Sequence, residues 1–396
     1  MNVQNRYEKW YIEQMNRIIK EGQFRGDRTG TGVYSLPFLN YTHDLRESYP
    51  LMSSREFIFD QPITEIIWMM SGSSNIQYLK DNGCPFWNFF ATDGETKVPR
   101  QLTRAQRIQI YADMKGVPYM QALVAFSQET FEAADAILDK HKVPNMQDEI
   151  VPAGELGPVY GVQWRNWPNA DGTTFDQLTY ALNTLREDPN NRRIVVDCWN
   201  PSFLPNPKKA PKQNAAEGKM ALTPCHFAFG FYTAEIPLYK RIEGILGKVE
   251  TDELRELYPI RITPEREAKF EQVLAEHNAP KYYLDINFVM RSNDWVLGQP
   301  ANMNMYSAML MMFANELNMV PRFVNYTGWD CHVYSNHLDG VAEINRRWET
   351  GEHKHATHKV ELVNAGAPKG LFNYHKSDFR ISNYMPEGKI KFPIAV

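Results

Sequence analysis

The sequence predicts a mixed α/β fold in which strands do not alternate regularly with helices. Strand-like apolar stretches at 193–199, 226–232 and 282–290 are separated by long polar excursions rather than by single crossover helices. Residues 303–318 have the length and apolar continuity of a buried helix, against which a sheet would pack. With 396 residues the chain can bury a substantial core.

The elements follow in order. Residues 7–19 place apolar side chains at helical spacing. They lead into Gly26-Asp27-Arg28-Thr29-Gly30-Thr31-Gly32, a sharply turned loop whose arginine is placed to meet an anion. Its spacing matches neither a Walker A loop nor a dinucleotide fingerprint. Residues 63–70 read as a buried helix carrying one charge, Glu65; burial of a carboxylate raises its pKa, whereas an edge position would leave it facing water. Three excursions interrupt the core: a charged, helically patterned one at 94–154, a Pro- and Lys-rich surface loop at 202–218, and a segment of charged helix formers at 234–280.

Composition narrows the function. A net charge of -4 gives no global reason for nucleic-acid or membrane binding, and no secretory or long apolar stretch is visible, so a cytosolic protein is expected. The four cysteines, Cys84, Cys198, Cys225 and Cys331, show no metal-ligand spacing and read as reduced thiols. Aromatic residues make up 13% of the chain, which suits either the stacking of flat ligands or an aromatic core. Cys225, within Pro224-Cys225-His226, is a candidate nucleophile if cationic neighbours lower its pKa. The alternative for a lone cysteine is a small buried hydrophobe.

Read in order, the motifs form one set. Asp27-Arg28-Thr29-Gly30-Thr31-Gly32 precedes Glu65, then Leu156-Gly157-Pro158-Val159-Tyr160-Gly161 and Asn191-Arg192-Arg193. Pro224-Cys225-His226 is followed by Arg291-Ser292-Asn293-Asp294, Leu297-Gly298-Gln299-Pro300-Ala301-Asn302, His332-Val333-Tyr334 and a terminal Pro393-Ile394-Ala395-Val396. This set resembles the thymidylate synthase family, including its pyrimidine-nucleotide hydroxymethylase branch, from the first helix to the last residue.

The resemblance implies an α/β (α+β) fold built on a large mixed sheet, dimerising through that sheet, with the excursions as insertions in one domain. It implies that Cys225 adds to C6 of a uracil ring, making C5 able to attack the one-carbon unit of 5,10-methylenetetrahydrofolate. Arg28, Arg192, Arg193 and Arg291 would surround the nucleotide phosphate, with Arg192 and Arg193 supplied by the other subunit of a homodimer. Arg291 would also help hold Cys225 as thiolate. Asn302 would read the pyrimidine edge and favours dUMP over dCMP. His332 and Tyr334 would hold the ribose, Ser292 would contact the phosphate, and Asn293 and Asp294 would also bind the substrate. Asp294, Trp87, Gly298 and Ala395 would serve the folate, and Glu65 and Tyr160 would organise water and proton transfer. No metal and no nucleic acid are required.

The chain departs from the family's usual pattern at Met290, Ala301, Phe90, Arg55-Glu56-Phe57-Ile58 and Trp329-Asp330-Cys331-His332. Nucleotide-holding positions are kept and positions flanking folate are altered. The expectation is therefore a phage-type dUMP hydroxymethylase, which hydrates the transferred carbon to 5-hydroxymethyl-dUMP. The alternatives are a thymidylate synthase making dTMP and dihydrofolate, or a non-catalytic member that binds nucleotide or RNA.

Overall fold

In the computed structural model, residues 5–26, 30–246, 263–351 and 358–394 are described. Six strands form one mixed sheet: β1 (Gln23–Arg25), β2 (Val33–Asp44), β3 (Val195–Asp197), β4 (His226–Glu235), β5 (Tyr282–Asp294) and β6 (Val320–Tyr334). They stand in the order β1-β2-β6-β5-β4-β3. All neighbours are antiparallel except β5 and β6. The mixed sheet flanked by helices is the architecture the sequence predicts.

A parallel pair cannot be joined by a hairpin, so the chain crosses over between β5 and β6 as a long helix. Three helices matter for the site: α1 (Arg6–Glu21), α2 (Asp60–Ser71) and the crossover itself, α3 (Gly298–Glu316). The sequence of α3 is apolar on nearly every side, from Met303, Met305 and Tyr306 through Leu310 to Phe313. Such a helix needs cover all round, and it lies between the sheet and α2. α1 begins with Asn5 as its cap, whose side chain accepts the Glu8 amide at 3.1 Å. It buries Tyr7, Tyr11, Met15 and Ile18, a stripe at three- and four-residue spacing, toward β2 and β6.

Among the described residues, the opposite face of the sheet is not covered by a helix. Thr42 donates to Asn325 (2.6 Å) and Asn325 to Asn287 (2.6 Å), a polar ladder across three strands. Val195 and Tyr232 project from the same face and are mostly exposed.

The excursions have defined structures. Within 94–154, the hairpin Thr96–Gln101 with Met146–Val151 brackets three helices that share a small core of Ile108, Ala112, Phe126 and Leu138. In 202–218, expected to be a surface loop, Pro211 starts the helix Pro211–Ala216, whose fixed φ suits a first turn. In 234–280, helices Leu238–Leu246 and Pro264–Glu276 pack through Ile242, Phe270 and Leu274; residues 247–262 lie outside the described part. Among the described residues, no helix is long and apolar enough to cross a membrane.

Several boundaries differ from expectation. The strand expected over 193–199 is confined to Val195–Asp197, and α3 starts at Gly298 rather than at 303. Strands β2 and β6 carry no clear sequence signal. Polar residues such as Asn325 and Thr327 interrupt β6 because that face has no cover, and β2 contains Pro37 and a left-handed Phe38 (φ 55°).

One contact ties the fold to the site. Gly161 lies so close to α2 that a Cβ there would stand 2.0 Å from the Met69 carbonyl oxygen. Gly161→Ala should therefore destabilise the protein by about 2–3 kcal/mol or more, because backbone must move. Gly244→Ala, where a Cβ meets nothing within 4 Å, should be neutral or stabilising by up to about 1 kcal/mol, since Ala outranks Gly inside a helix. Urea unfolding midpoints of the two variants test the contrast; equal midpoints would show that α2 does not sit against Gly161.

Candidate functional site

Where β5 runs out and α3 begins, a cleft of about 960 Å³ opens. β5 delivers Arg291, Ser292 and Asp294 to its wall, and the first turns of α3 deliver Gly298, Ala301 and Asn302. α2 adds Glu65, the segment before β4 adds Cys225, and Trp87, Tyr160 and Tyr334 complete the set.

Cys225 is part-buried at the entrance to β4. Its amide donates to the Tyr160 hydroxyl at 2.9 Å, and its carbonyl accepts the Arg291 amide at 2.7 Å. Burial pushes the thiol above its ordinary range; the Arg291 guanidinium pulls it down, Asp294 pushes it up, and the Tyr160 hydroxyl lowers it. Desolvation is the largest of these influences, so the thiol lies above its ordinary value while the Arg291 guanidinium acts in the direction that favours a thiolate.

His226 does not pair with this thiol as a base. Its ring stacks on Tyr160 (centroids 4.2 Å apart, 16°), and its Nδ1 lies 2.8 Å from the Tyr306 hydroxyl. Burial lowers its pKa to about 3, so the imidazole is neutral. It props Tyr160, whose backbone (φ 21°, ψ -84°) is an outlier for a bulky residue. The glycines on either side of the motif, Gly157 and Gly161, allow that bend by letting backbone approach backbone.

Glu65 belongs to the buried face of α2, not its edge. Trp87 Nε1 donates to Glu65 Oε1 at 2.6 Å. Burial raises the carboxyl pKa to about 7, against the lowering pull of that hydrogen bond. The group can therefore give or take a proton near neutrality.

Asn302 Nδ2 donates to the Gly298 carbonyl at 2.7 Å. A carbonyl only accepts, so this bond fixes which way the amide faces. Oδ1 and the second Nδ2 hydrogen are left for a ligand. Asp294 Oδ1 caps the following turn by accepting the Val296 and Leu297 amides (3.0 and 3.1 Å), leaving Oδ2 to accept from a ligand.

Other sequence-derived residues fall elsewhere. Asn293 alternates to the far side of β5, is fully buried and donates to the Tyr326 hydroxyl at 2.7 Å. It does not line the cleft. His332 sits behind Tyr334, edge-on at 5.3 Å, with Nδ1 3.1 Å from Asp330. Arg192 and Arg193 are exposed on a loop with its own recess of about 450 Å³, away from this cleft. Arg28 and Ala395 lie outside the described residues. The sequence reading missed two walls of the cleft. One is Pro205, Pro207 and Lys209, from the segment expected to be a plain loop; the other is Arg55 with Phe392, which it counted only as a departure and a tail. Three prolines at 205, 207 and 211 were the available signal for a rigid wall.

Comparison with known proteins gives the family. The thymidylate synthase family model matches residues 9–251 and 265–396. The thymidylate synthase of Pseudomonas fluorescens (strain SBW25) is 26% identical over 388 residues, covering 98% of this chain and all of the relative. That of Listeria innocua is 29% identical over 393 residues with the same coverage. That of Corynebacterium aurimucosum is 28% identical over 386 residues, covering 98% of this chain and 97% of the relative.

The Glu65 shift carries a stability consequence. Its folded pKa, about 7, stands above the ordinary 4.5, so the native state keeps a proton that the unfolded chain releases. That contribution is complete below about pH 4.5 and lost as pH rises through about 7. The thermal midpoint of Glu65→Gln should therefore fall less than that of the unsubstituted protein between about pH 5 and pH 8. Calorimetry across that range checks it, and parallel curves would contradict a buried acid. Tyr160→Phe should cost about 1–3 kcal/mol, because the Cys225 amide loses its acceptor; denaturant titration measures it.

Proposed function

The chain belongs to the thymidylate synthase family, and on that premise we propose that it acts on dUMP with 5,10-methylenetetrahydrofolate. The product of this reading is 5-hydroxymethyl-dUMP, with tetrahydrofolate released unoxidised. The observation that carries the substrate is Asn302. With its amide fixed by Gly298, it offers an acceptor and a donor side by side, which complement the N3–H and O4 of uracil. Cytosine presents the reverse polarity at both positions, with N3 accepting and the 4-amino group donating.

Each step then uses a group already described. Cys225 loses its proton and its sulfur bonds to C6, with Arg291 the cation that offsets burial at the sulfur. The C5 carbon so activated takes the methylene from folate. Loss of the C5 proton and of the folate amine leaves an exocyclic methylene on the ring. Water then adds at that carbon and the Cys225 sulfur departs from C6, so the product carries CH2OH and the enzyme recovers its thiol. Glu65, protonated or ionised near neutral pH, moves protons for these steps through water. The Cys225 amide, held by Tyr160, keeps the nucleophile on the cleft wall.

Support for hydration over hydride transfer comes from the folate side. Ala301 and Phe90 line the cleft where the family's usual pattern has larger Phe and Trp. Smaller groups leave room for an ordered water and loosen the co-substrate, and a shift of about an ångström strongly disfavours hydride transfer. The names of the relatives favour the other product, dTMP with dihydrofolate.

A homodimer belongs to the same proposal. The uncovered sheet face, with its Thr42–Asn325–Asn287 ladder, supports association through the sheet, and the remote Arg192 and Arg193 support sharing across it. An Asn302 reading of dUMP leaves the phosphate to be met by these arginines together with Arg28, Arg291 and Ser292.

Incubation with dUMP and methylenetetrahydrofolate should yield a nucleotide heavier than dTMP by one oxygen, with no dihydrofolate absorbance. Stoichiometric dihydrofolate would end the hydroxymethylase reading. Phe90→Trp with Ala301→Phe should raise the dihydrofolate share. Cys225→Ser should lose turnover by roughly a thousandfold or more. Mixing Cys225→Ser with Arg193→Ala chains should restore turnover that neither has alone; absence of rescue would count against shared sites.

A further inference from the structure

We infer that Glu8 is a positioning residue that fixes Arg55, and that the segment 53–55 between them couples the C-terminal strap to the turn carrying Asp294. Glu8 is fully buried on α1, and the chemistry of the cleft does not use it. Its carboxylate is saturated by one stretch of backbone. Oε1 accepts the Ser54 amide (2.8 Å), the Ser54 hydroxyl (2.6 Å) and the Ser53 amide (3.0 Å). Oε2 accepts the Ser53 amide (3.0 Å) and Asn5 Nδ2 (3.2 Å). Burying a carboxylate is costly, and its pKa is accordingly raised by desolvation. Only an ionised carboxylate, with acceptors alone, satisfies all these donors; the amide of glutamine would turn N–H against N–H.

What Glu8 holds from inside, the strap holds from outside. Glu387 donates its amide to the Ser53 carbonyl at 2.8 Å. Arg347 Nη1 bridges the Ser54 carbonyl (3.1 Å) and the Gly388 carbonyl (2.5 Å). Arg55 then enters the cleft wall, nearly buried, with its guanidinium carbon 5.0 Å from the centre of the Phe392 ring. Its Nη2 donates to the Val296 carbonyl at 2.5 Å, within the turn that Asp294 caps. Its Nε is buried without a hydrogen-bond partner, a donor left over in the cleft wall. Phe392 is itself seated over Gly340, where a Cβ would come within 2.2 Å of the ring. Three contacts thus run from the 53–55 segment to residues 387–392, and one runs to the site turn. Moving Glu8 moves all four.

The kinetic arm of the test rests on the folate reading; the structural arm does not. In the full chain without ligands, Glu8→Gln and Arg55→Met should each speed amide exchange in peptides covering 385–394 by about tenfold, with the sheet unchanged. With substrates, each should raise KM for methylenetetrahydrofolate by about tenfold while KM for dUMP stays within about twofold. In KM for methylenetetrahydrofolate the double variant should match Arg55→Met alone, because only Arg55 runs from this segment to the Asp294 turn. Additive effects, or exchange that quickens uniformly with a falling thermal midpoint, would reduce Glu8 to an ordinary core residue and overturn the inference. Should Glu8→Gln not fold, Ser54→Ala, which removes one hydrogen bond to the carboxylate, should show the same strap-confined pattern more weakly; an unchanged strap overturns the inference. If the unsubstituted protein shows no folate-dependent turnover, the proposed function fails while the exchange comparison still decides the role of Glu8.

Discussion

Because β5 and β6 lie parallel and adjacent, the chain between them must pass over the sheet, and the rest of the site depends on that crossing. Its first turn brings Gly298 and Asn302 within reach of Arg291 and Asp294, which β5 has just delivered. The part of the cleft wall that carries Arg291, Asp294 and Asn302 is thus set by one strand-to-helix junction. The crossing is buried along its length, so its start cannot slide without disturbing the core. α1 grips the same junction from outside: Tyr7 donates to Gln299 (2.7 Å), and Trp295 Nε1 donates to the Tyr11 carbonyl (3.0 Å).

On this frame the electrostatics of the cleft are governed by burial. Burial raises Glu65 and Cys225 and lowers His226, each toward its neutral form. Burial thus favours the neutral thiol and imidazole, while Glu65, at about 7, is divided between its acid and carboxylate forms around neutral pH. A pocket of this kind gains reactivity when a ligand brings polarity into it. On the proposed reading, a pyrimidine that took the sulfur at C6 would delocalise the new charge onto its own oxygens.

Much of this was legible in the sequence, for definite reasons. The ordered motifs carry Cys225, Glu65, Tyr160, Asn302, Arg291 and Asp294, and all six line one cleft. The buried strand β5 and the apolar α3 announce themselves by composition. Strands β2 and β6 do not, since one face of each is polar and uncovered, and Pro37 and Gly328 break their pattern. Asn293 was misassigned because a motif written as a run of letters hides strand alternation: neighbours in sequence face opposite ways. The Arg55 wall was hidden for another reason. Its partners, Val296 and Phe392, are hundreds of residues away, and a motif lacking the usual basic groups read as loss rather than as a new contact.

The distribution of buried charge explains why those substitutions cluster where they do. Arg55 is held by a cation–π contact and a backbone carbonyl, not by an ion pair with the site. Glu8 lies behind it, sheathed by serine donors, so the two opposite charges stabilise each other across the 53–55 segment without a direct bridge. A buried pair arranged this way contributes little net stability and is expensive to break at either end. Its presence is therefore better explained by what it aligns than by what it stabilises. The strap, the 53–55 segment and the Asp294 turn share these two residues as a common anchor, and the part of the cleft that the proposed reading gives to folate is bounded by all three.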